Sequence, residues 1–494
     1  MDITRLLVAN RGEIAFRIIR ACREIGIETA AVYSDADANA RHVRAADFAV
    51  GIGPAPAGES YLNIAAVIDA ARAVGAGAVH PGYGFLSERA AFAEACAAAG
   101  LVFVGPPAAA IERMGSKIGA RTLMENAGVP VVPGRTPEDQ TDRGIAAAAQ
   151  AIGFPVLIKA SAGGGGKGMR DARDAKELAD AIPAARREAL AAFGDGTLYV
   201  ERFIERPRHV EIQIFADDHD NVVHLFEREC SIQRRHQKIV EESPSPALTP
   251  AVRERMGTAA IAAARTAGYR NAGTIEFLLE GEGDSARFYF LEMNTRLQVE
   301  HPVTELVTGT DLVRAQLTVA MGRPLPWRQE DLHQRGHAIE CRVYAEDPAN
   351  GFLPQAGPLR LYREPSGPGI RVDSGVEEGA GVPVQYDPML AKLIAYGETR
   401  DQAIDRATAA LRGFPILGVR TNVAFLIQVI GHPVFRTGRA HTGFVDEHLA
   451  SLLERPEPSN MVSAVADFVR SAPGPTPGVT TAADPWSRLT GWGR

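Results

Sequence analysis

Lysine is scarce in this chain. Lys117, Lys159, Lys167, Lys176, Lys238 and Lys392 are the only six in 494 residues, so arginine supplies most of the positive charge. No block of basic residues occurs and the net charge is −7, which argues against nucleic acid as the main partner. Cysteine is also sparse: Cys22, Cys96, Cys230 and Cys341 lie far apart and match no zinc or redox spacing, which fits a reduced, cytoplasmic compartment. No apolar run reaches about 18 residues, and Met1-Asp-Ile-Thr-Arg enters a strand pattern directly, so neither a membrane span nor a secretory signal is expected. Where lysine survives among so many arginines, its compact ammonium suits it to bind phosphate as a point charge.

What is present begins as an alternation of strand and helix. Residues 3–10 read as a buried strand, and Ile14, Ile18, Cys22 and Ile25 mark one face of a helix from Gly12. Glu28 to Tyr33 reads as a second strand, completing a βαβ unit with parallel strands and a right-handed crossover. The alternation recurs (helix 61–73, strand 76–80, helix 90–99, strand 101–104), making 1–115 a doubly wound, Rossmann-like α/β domain. Strand 76–80 runs into His80-Pro-Gly-Tyr-Gly-Phe-Leu-Ser-Glu88, a glycine-rich loop at a carboxyl strand end, where such sheets place ligands. A tight connection would need no more.

Residues 117–128 read as a helix, and Val129-Pro-Val-Val-Pro-Gly134 then breaks the pattern. Helix 138–151, strand 156–160, a glycine-rich turn at 162–168, helix 174–192 and strand 198–203 follow. They form a small α+β lid (about 131–203) hinged at 130–137 and 194–197. Alternating strands begin at His209, and helix 250–267 precedes a further hairpin. Mixed α+β structure continues to about 449: helices 310–321, 400–412 and 421–431, strands 337–344 and 370–373, and a buried strand within 387–396. Domain boundaries are therefore expected at 1–115, 116–321 and 322–449, with a Pro/Ser/Gly-rich tail or linker at 450–494.

The most informative stretch is Phe288-Tyr-Phe-Leu-Glu-Met-Asn-Thr-Arg-Leu-Gln-Val-Glu-His-Pro302. Period-two counting places Phe288, Phe290, Glu292, Asn294 and Arg296 on one strand face, with Gln298 and Glu300 next if the chain stays extended. A hairpin with Thr274–Leu279, centred on Asp284, sets Glu276 opposite Glu292. Facing carboxylates repel unless a cation joins them, and Mg²⁺ takes carboxylates together with substrate phosphates. A solvent-facing edge hairpin is the plainer reading, but the flanking residues are apolar enough for a buried sheet.

Gly163-Gly-Gly-Gly-Lys-Gly168 satisfies G-x-G-x-x-G only because nearly every position is glycine. Nor is it a Walker A loop, since Gly168 follows Lys167 where Ser or Thr would supply a metal ligand. It reads as a mobile flap whose backbone N–H groups can close over polyphosphate. Lys117 and Lys159 precede it. Glu201-Arg-Phe203-Ile204 has the make-up of a hinge strand that could hold an adenine edge. In the run 230–242, Gln233, Arg235, His236 and Lys238 suit an anion-contacting loop, with a solvated loop as the alternative. Cys230 reads as a buried, inert thiol.

Taken together, these residues closely resemble the biotin carboxylase subunit or domain of biotin-dependent acyl-CoA carboxylases, within the ATP-grasp superfamily. The likeness covers about residues 3–447. It rests on Ala9-Asn-Arg-Gly-Glu-Ile14, His80 to Glu88, Lys159 to Arg170, Arg208-His-Val-Glu-Ile-Gln213, Gln233 to Lys238, and Glu292 to Glu305. The resemblance implies an ATP-grasp ligase that makes carboxyphosphate from ATP and bicarbonate and carboxylates biotin on a carrier. Lys117, Lys159, Gly165, Gly166, Glu201, Phe203, Ile204, His209, Gln233 and His236 would contact ATP. Glu276, Glu292 and Asn294 would hold Mg²⁺ or Mn²⁺. Lys238, Arg296, Gln298 and Val299 would bind bicarbonate, Glu300 would deprotonate it, and Arg342 would stabilise the biotin enolate. A carboxylate base beside Arg296 is expected to stay ionised.

No lysine lies between methionines, so the family's Met-Lys-Met carrier motif is absent from this sequence. A biotin carboxyl carrier protein or domain and a carboxyltransferase subunit would be its partners, and a homo-oligomer or multisubunit complex is expected. The acyl acceptor would be set by the transferase. The alternative reading is another ATP-grasp carboxylate–amine ligase, which shares the flap and acidic hairpin but needs neither Arg342 nor the Arg296–Glu300 pair.

Overall fold

Short apolar segments such as Leu6-Leu7-Val8 bury both faces, as strands of a parallel sheet must. In the computed structural model, which describes residues 2–161 and 168–454, β1 (Arg5–Val8), β2 (Glu28–Tyr33), β3 (Phe48–Gly51), β4 (Ala78–His80) and β5 (Val102–Phe103) form a parallel sheet in the order β3-β2-β1-β4-β5. Helix Gly12–Glu24 connects β1 to β2 and buries Ile14, Ile18 and Cys22. The edge strand β3 is an addition to the sequence reading. Its four residues are largely exposed and carry no alternation to read.

The segment expected to be a lid contains an antiparallel sheet of β6 (Gly134–Arg135), β7 (Val156–Ala160), β8 (Arg170–Ala172) and β9 (Leu198–Arg202), ordered β6-β9-β7-β8. Helices Asp142–Ile152 and Ala175–Phe193 cover it, burying Ile145, Leu178, Ile182 and Ala185 against Val156 and Ile158. Gly165, Gly166 and Lys167 lie outside the described residues.

The third sheet positions the site. Its strands are β10 (Arg208–Ala216), β11 (Val222–Arg234), β12 (Gln237–Ser243), β13 (Asn271–Glu280), β14 (Arg287–Asn294), β15 (His337–Tyr344), β16 (Ile370–Ser374) and β17 (Met389–Gly397). All are antiparallel, in the order β14-β13-β10-β11-β12-β15-β17-β16, so one sheet continues across residue 322. Helix Pro250–Thr266 packs on one face, where Val210, Ile212, Ile214, Ile275, Phe277, Phe288 and Phe290 are buried with Met256 and Ala260. Helix His301–Thr308 lies over the other face.

Three sequence readings need correction. The run 230–242 is not a loop: β11 continues to Arg234 and β12 resumes at Gln237. Between them Arg235 and His236 both adopt positive φ (+50° and +65°), the conformation of a tight two-residue hairpin turn. Its polarity has two sources: Arg235, His236 and Gln237 at the turn are exposed to solvent, while Lys238 faces the charged site. Second, the chain does not stay extended after Asn294. It leaves the sheet, turns, and enters helix His301–Thr308 directly after Glu300. Third, a helix at Phe444–Leu452 carries ordered structure past residue 450, where the sequence reading begins the tail. The rest of that tail, 455–494, lies outside the described residues.

Candidate active site

Glu276 pairs with Glu292 across β13 and β14, as the hairpin count requires, although the route differs. Near the turn the register runs Glu280↔Arg287 and Phe277↔Phe290, and it shifts by one residue before Glu276↔Glu292. Leu291 is the extra residue of a β-bulge, and a bulge inverts the facing of the residues after it. Phe288 and Phe290 therefore join the apolar core with Met293, while Glu292 and Asn294 turn to the opposite face with Glu276. Simple alternation puts all four on one side.

The row of acids extends further than the hairpin. Glu276 lies opposite Glu211 on β10, and Glu211 opposite Arg228 on β11. Three carboxylates side by side across three strands need nearby cations. Lys238 Nζ meets three acids, donating to Glu211 Oε2 (2.5 Å), Glu276 Oε1 (2.8 Å) and Glu300 Oε1 (2.6 Å). Arg228, fully buried, donates to Glu211 Oε1 (2.5 Å), Gln213 Oε1 (2.8 Å), Thr304 Oγ1 (3.0 Å) and Thr274 Oγ1 (3.1 Å). His209 Nε2 stands 3.0 Å from Glu276 Oε2. Asn294 and Gln298 each donate a side-chain N–H to Glu276 Oε1, at 2.8 and 3.1 Å.

These contacts set the charges. Burial pushes the Glu276 carboxyl up, but Lys238 and His209 outweigh it and hold its pKa well below the usual range. Burial likewise opposes ionisation of Glu300, yet Lys238, Arg342 and Arg228 keep its pKa low. Glu292 goes the other way, raised by burial and by Glu276 against the pull of Lys117. Among the described residues, no hydrogen-bond or ion-pair partner joins the Glu292 carboxylate. An unpartnered acid opposite a saturated one, with an amide at Asn294, is a donor set of the hard oxygen type that Mg²⁺ takes. His209, Glu211 and Glu276 also bring one ligand atom each within 4.8 Å of one another.

Glu300 stays ionised, but it is hydrogen-bonded by Lys238 and Arg342, and Arg296 acts on it only through charge. Its two oxygens are held by Lys238 and by Arg342 Nη2 (2.9 Å), and Arg342 Nε also donates to Glu241 (2.6 Å). Arg296 instead donates to Glu88 Oε2 (3.0 Å), Asn294 Oδ1 (2.9 Å) and Gln298 Oε1 (3.1 Å). The loop 80–88 thus reaches the site through Glu88, which also accepts from Thr295 N. Arg296, Val299 and Arg342 line a cavity of about 440 Å³ with Tyr83, Tyr344 and Asp387.

On the lid side, Lys159 is buried and ion-paired with Glu201, which raises its pKa despite burial. Burial lowers the pKa of the Lys117 ammonium while Glu292 opposes that and Lys159 adds to it, so lid and hairpin act on one place. His236 sits at the exposed tip of the β11–β12 turn, and Gln233 pairs across that hairpin with Lys238. Ile204 packs into a small apolar cluster with Val132 and Tyr289, and Phe203 N donates to Pro155 O.

The sequence reading misses Glu211, Arg228, Glu241 and Glu88 as members of this network. A signal exists for Glu211: His209, Glu211 and Gln213 alternate with Val210, Ile212 and Ile214. That is a polar strand face too regular for a core strand.

Three family models match the chain: Biotin carboxylase, N-terminal domain, at 2–111; Carbamoyl-phosphate synthase L chain, ATP binding domain, at 116–328; and Biotin carboxylase C-terminal domain at 340–447. Biotin carboxylase 1 of Bacillus subtilis is 51% identical over 446 residues, covering 90% of this chain and 99% of that protein. The alpha chain of the mitochondrial methylcrotonoyl-CoA carboxylase of Rattus norvegicus is 50% identical over 453 residues, 92% of this chain. This chain spans only 63% of that relative's length. Among solved structures, the biotin carboxylase domain of Hydrogenobacter thermophilus 2-oxoglutarate carboxylase, in complex with MgADP, ADP and bicarbonate, superposes with TM-score 0.87 at 44% identity, covering 92% of this chain and all of that one.

Proposed function

Because the chain belongs to the biotin carboxylase family, we propose that it carboxylates biotin on a carrier protein, using ATP and bicarbonate by way of carboxyphosphate. This would be the first half-reaction of an acyl-CoA carboxylase. The observation that carries the reading is the placement of Glu300, a buried acid kept ionised between Lys238 and Arg342, next in the chain to Val299 and bonded to Arg342, both of which line the cavity with Arg296.

Lys117, Lys159, Glu201, His209, Gln233 and His236 would engage the nucleotide, with the glycine flap above it. Glu276, Glu292 and Asn294 would hold Mg²⁺ or Mn²⁺, which supplies charge neutralisation to the phosphates when bound. Phosphoryl transfer asks mainly for positioning and charge stabilisation, and this network of fixed cations and acids supplies both. Glu300, ionised at neutral pH, takes the bicarbonate proton. Lys238 and the Arg296 fork hold the anion, and the Arg342 guanidinium faces the developing negative charge on the biotin ureido oxygen.

A biotin carboxyl carrier and a carboxyltransferase would complete the cycle, in keeping with a relative from Methanothermobacter thermautotrophicus that is one component of a pyruvate carboxylase. A cytoplasmic setting fits four cysteines that are all buried and free. The test is ATP hydrolysis by the purified chain. Dependence on bicarbonate and stimulation by free biotin support the reading. Stimulation by an amine acceptor in place of biotin would favour a carboxylate–amine ligase.

A further inference from the structure

Lys392 is a lysine with no part in the chemistry proposed for the site. It sits on β17 with no solvent exposure, a costly place for an ammonium unless it is fully partnered. Its Nζ donates to the main-chain carbonyl of Val299 at 2.7 Å and lies 3.1 Å from Glu13 Oε1. Glu13 is in the first turn of helix Gly12–Glu24, and the Tyr83 hydroxyl donates to the same oxygen. Glu13 is itself wedged in place: a Cβ on Gly375 would stand 2.6 Å from Glu13 N and 2.8 Å from Gly12 Cα. Elements from both ends of the compact unit therefore converge on one peptide group.

That peptide is the one between Val299 and Glu300. A peptide is planar, so fixing the Val299 carbonyl fixes the nitrogen and Cα of Glu300 as well. The segment lies between the end of β14 and the start of helix His301–Thr308 and has no ladder partner, so individual contacts hold it: Lys238 and Arg342 on the Glu300 carboxylate, Gln298 on Glu276, and Lys392 on the Val299 carbonyl. We propose that Lys392, seated on Glu13, is a positioning residue that clamps the Val299–Glu300 peptide and thereby aims the base and its neighbours at the substrate anion. The inference rests on the biotin carboxylase reading of the site. Lys392 touches no reacting atom.

Removing the ammonium alone would leave the buried Glu13 with the Tyr83 hydroxyl but without the Lys392 charge, so the informative variant is the double substitution Lys392→Met with Glu13→Gln. Steady-state kinetics of bicarbonate-dependent ATP cleavage should show KM for bicarbonate raised at least about tenfold, with KM for ATP within about twofold, as expected when anchoring loosens only the anion's seat. A merely structural role would lower the active fraction and leave both KM values alone, so an unchanged KM for bicarbonate overturns the clamp. If the double variant does not fold, Lys392→Arg, which keeps the charge but displaces the donor, is held to the same limits. Wild-type ATP cleavage indifferent to bicarbonate sinks the functional reading and the clamp with it. A bicarbonate-dependent wild type with an indifferent variant sinks the clamp alone.

Discussion

The two faces of the large sheet are both largely buried and differ in chemistry, one mainly apolar and the other mainly charged. On one, Ile212, Ile275 and Phe277 pack against helix Pro250–Thr266 in an apolar cluster, with the Glu227–Arg253 ion pair beside it. On the other, one residue along the same strands, Glu211 and Glu276 meet Lys238, His209 and Arg228. Strand β12 makes the contrast within a single step. Glu241 faces the site and its pKa is pushed up to about 7 by burial, against Arg342. Glu242 faces helix Arg400–Arg412; burial opposes its charge, yet hydrogen bonds from His337 and Arg400 pull its pKa down to about 2. Burial alone fixes neither stability nor function. The partner set decides which of the two a position serves.

The contrast can be broken at either face. Phe277→Ala, on the apolar face, should cost about 3–5 kcal/mol by cavity formation, read from denaturant unfolding, with nucleotide affinity of the folded fraction unchanged. A loss below about 1 kcal/mol would mean that this face is not a packed core. Glu242 should give an acid limb. Its folded pKa lies below the ordinary value of 4.5, so its stabilisation is present above that pH and is lost as pH falls toward about 2. A depression of this size is worth about 3 kcal/mol. Glu242→Gln should flatten the dependence of unfolding free energy on pH between about 5 and 2. An unaltered slope would rule the carboxylate out as its source.

Glu300→Gln, on the charged face, should reduce biotin carboxylation at least about a hundredfold, or roughly 2.7 kcal/mol of barrier, while destabilising the fold less than Phe277→Ala does. Near-normal turnover would remove the base from its role. The smallest effect should come from Ile275→Val, next to Glu276 but pointing into the core. About 1 kcal/mol of stability and no change in KM for ATP are expected, and a kinetic effect would show that the faces communicate.

Much of this is legible in sequence, for a physical reason. The βαβ start is written in helix and strand periods, and the Glu276–Glu292 pairing in the symmetry of a hairpin. What escapes is tertiary. The bulge at Leu291 has no signature of its own, since Leu suits either face. The run 230–242 reads as a loop because polar residues in a strand signal exposure unless their partners are known, and Glu211, Glu276 and Glu300 come from three other segments. Lys392 gives no hint in a run of apolar neighbours, because its partners Glu13 and Val299 are remote from it along the chain.

The extra residue at Leu291 also separates two kinds of tolerance along β14. Upstream of it, the connection through 281–286 can lengthen or shorten without disturbing the acids, because pairing is reset after the kink. From Glu292 to Asn294 no such slack exists. Losing Met293 would carry Asn294 to the apolar face that Met293 fills and take its amide from Glu276, so insertions and deletions among natural variants should crowd into the turn and avoid the segment from Glu292 to Asn294.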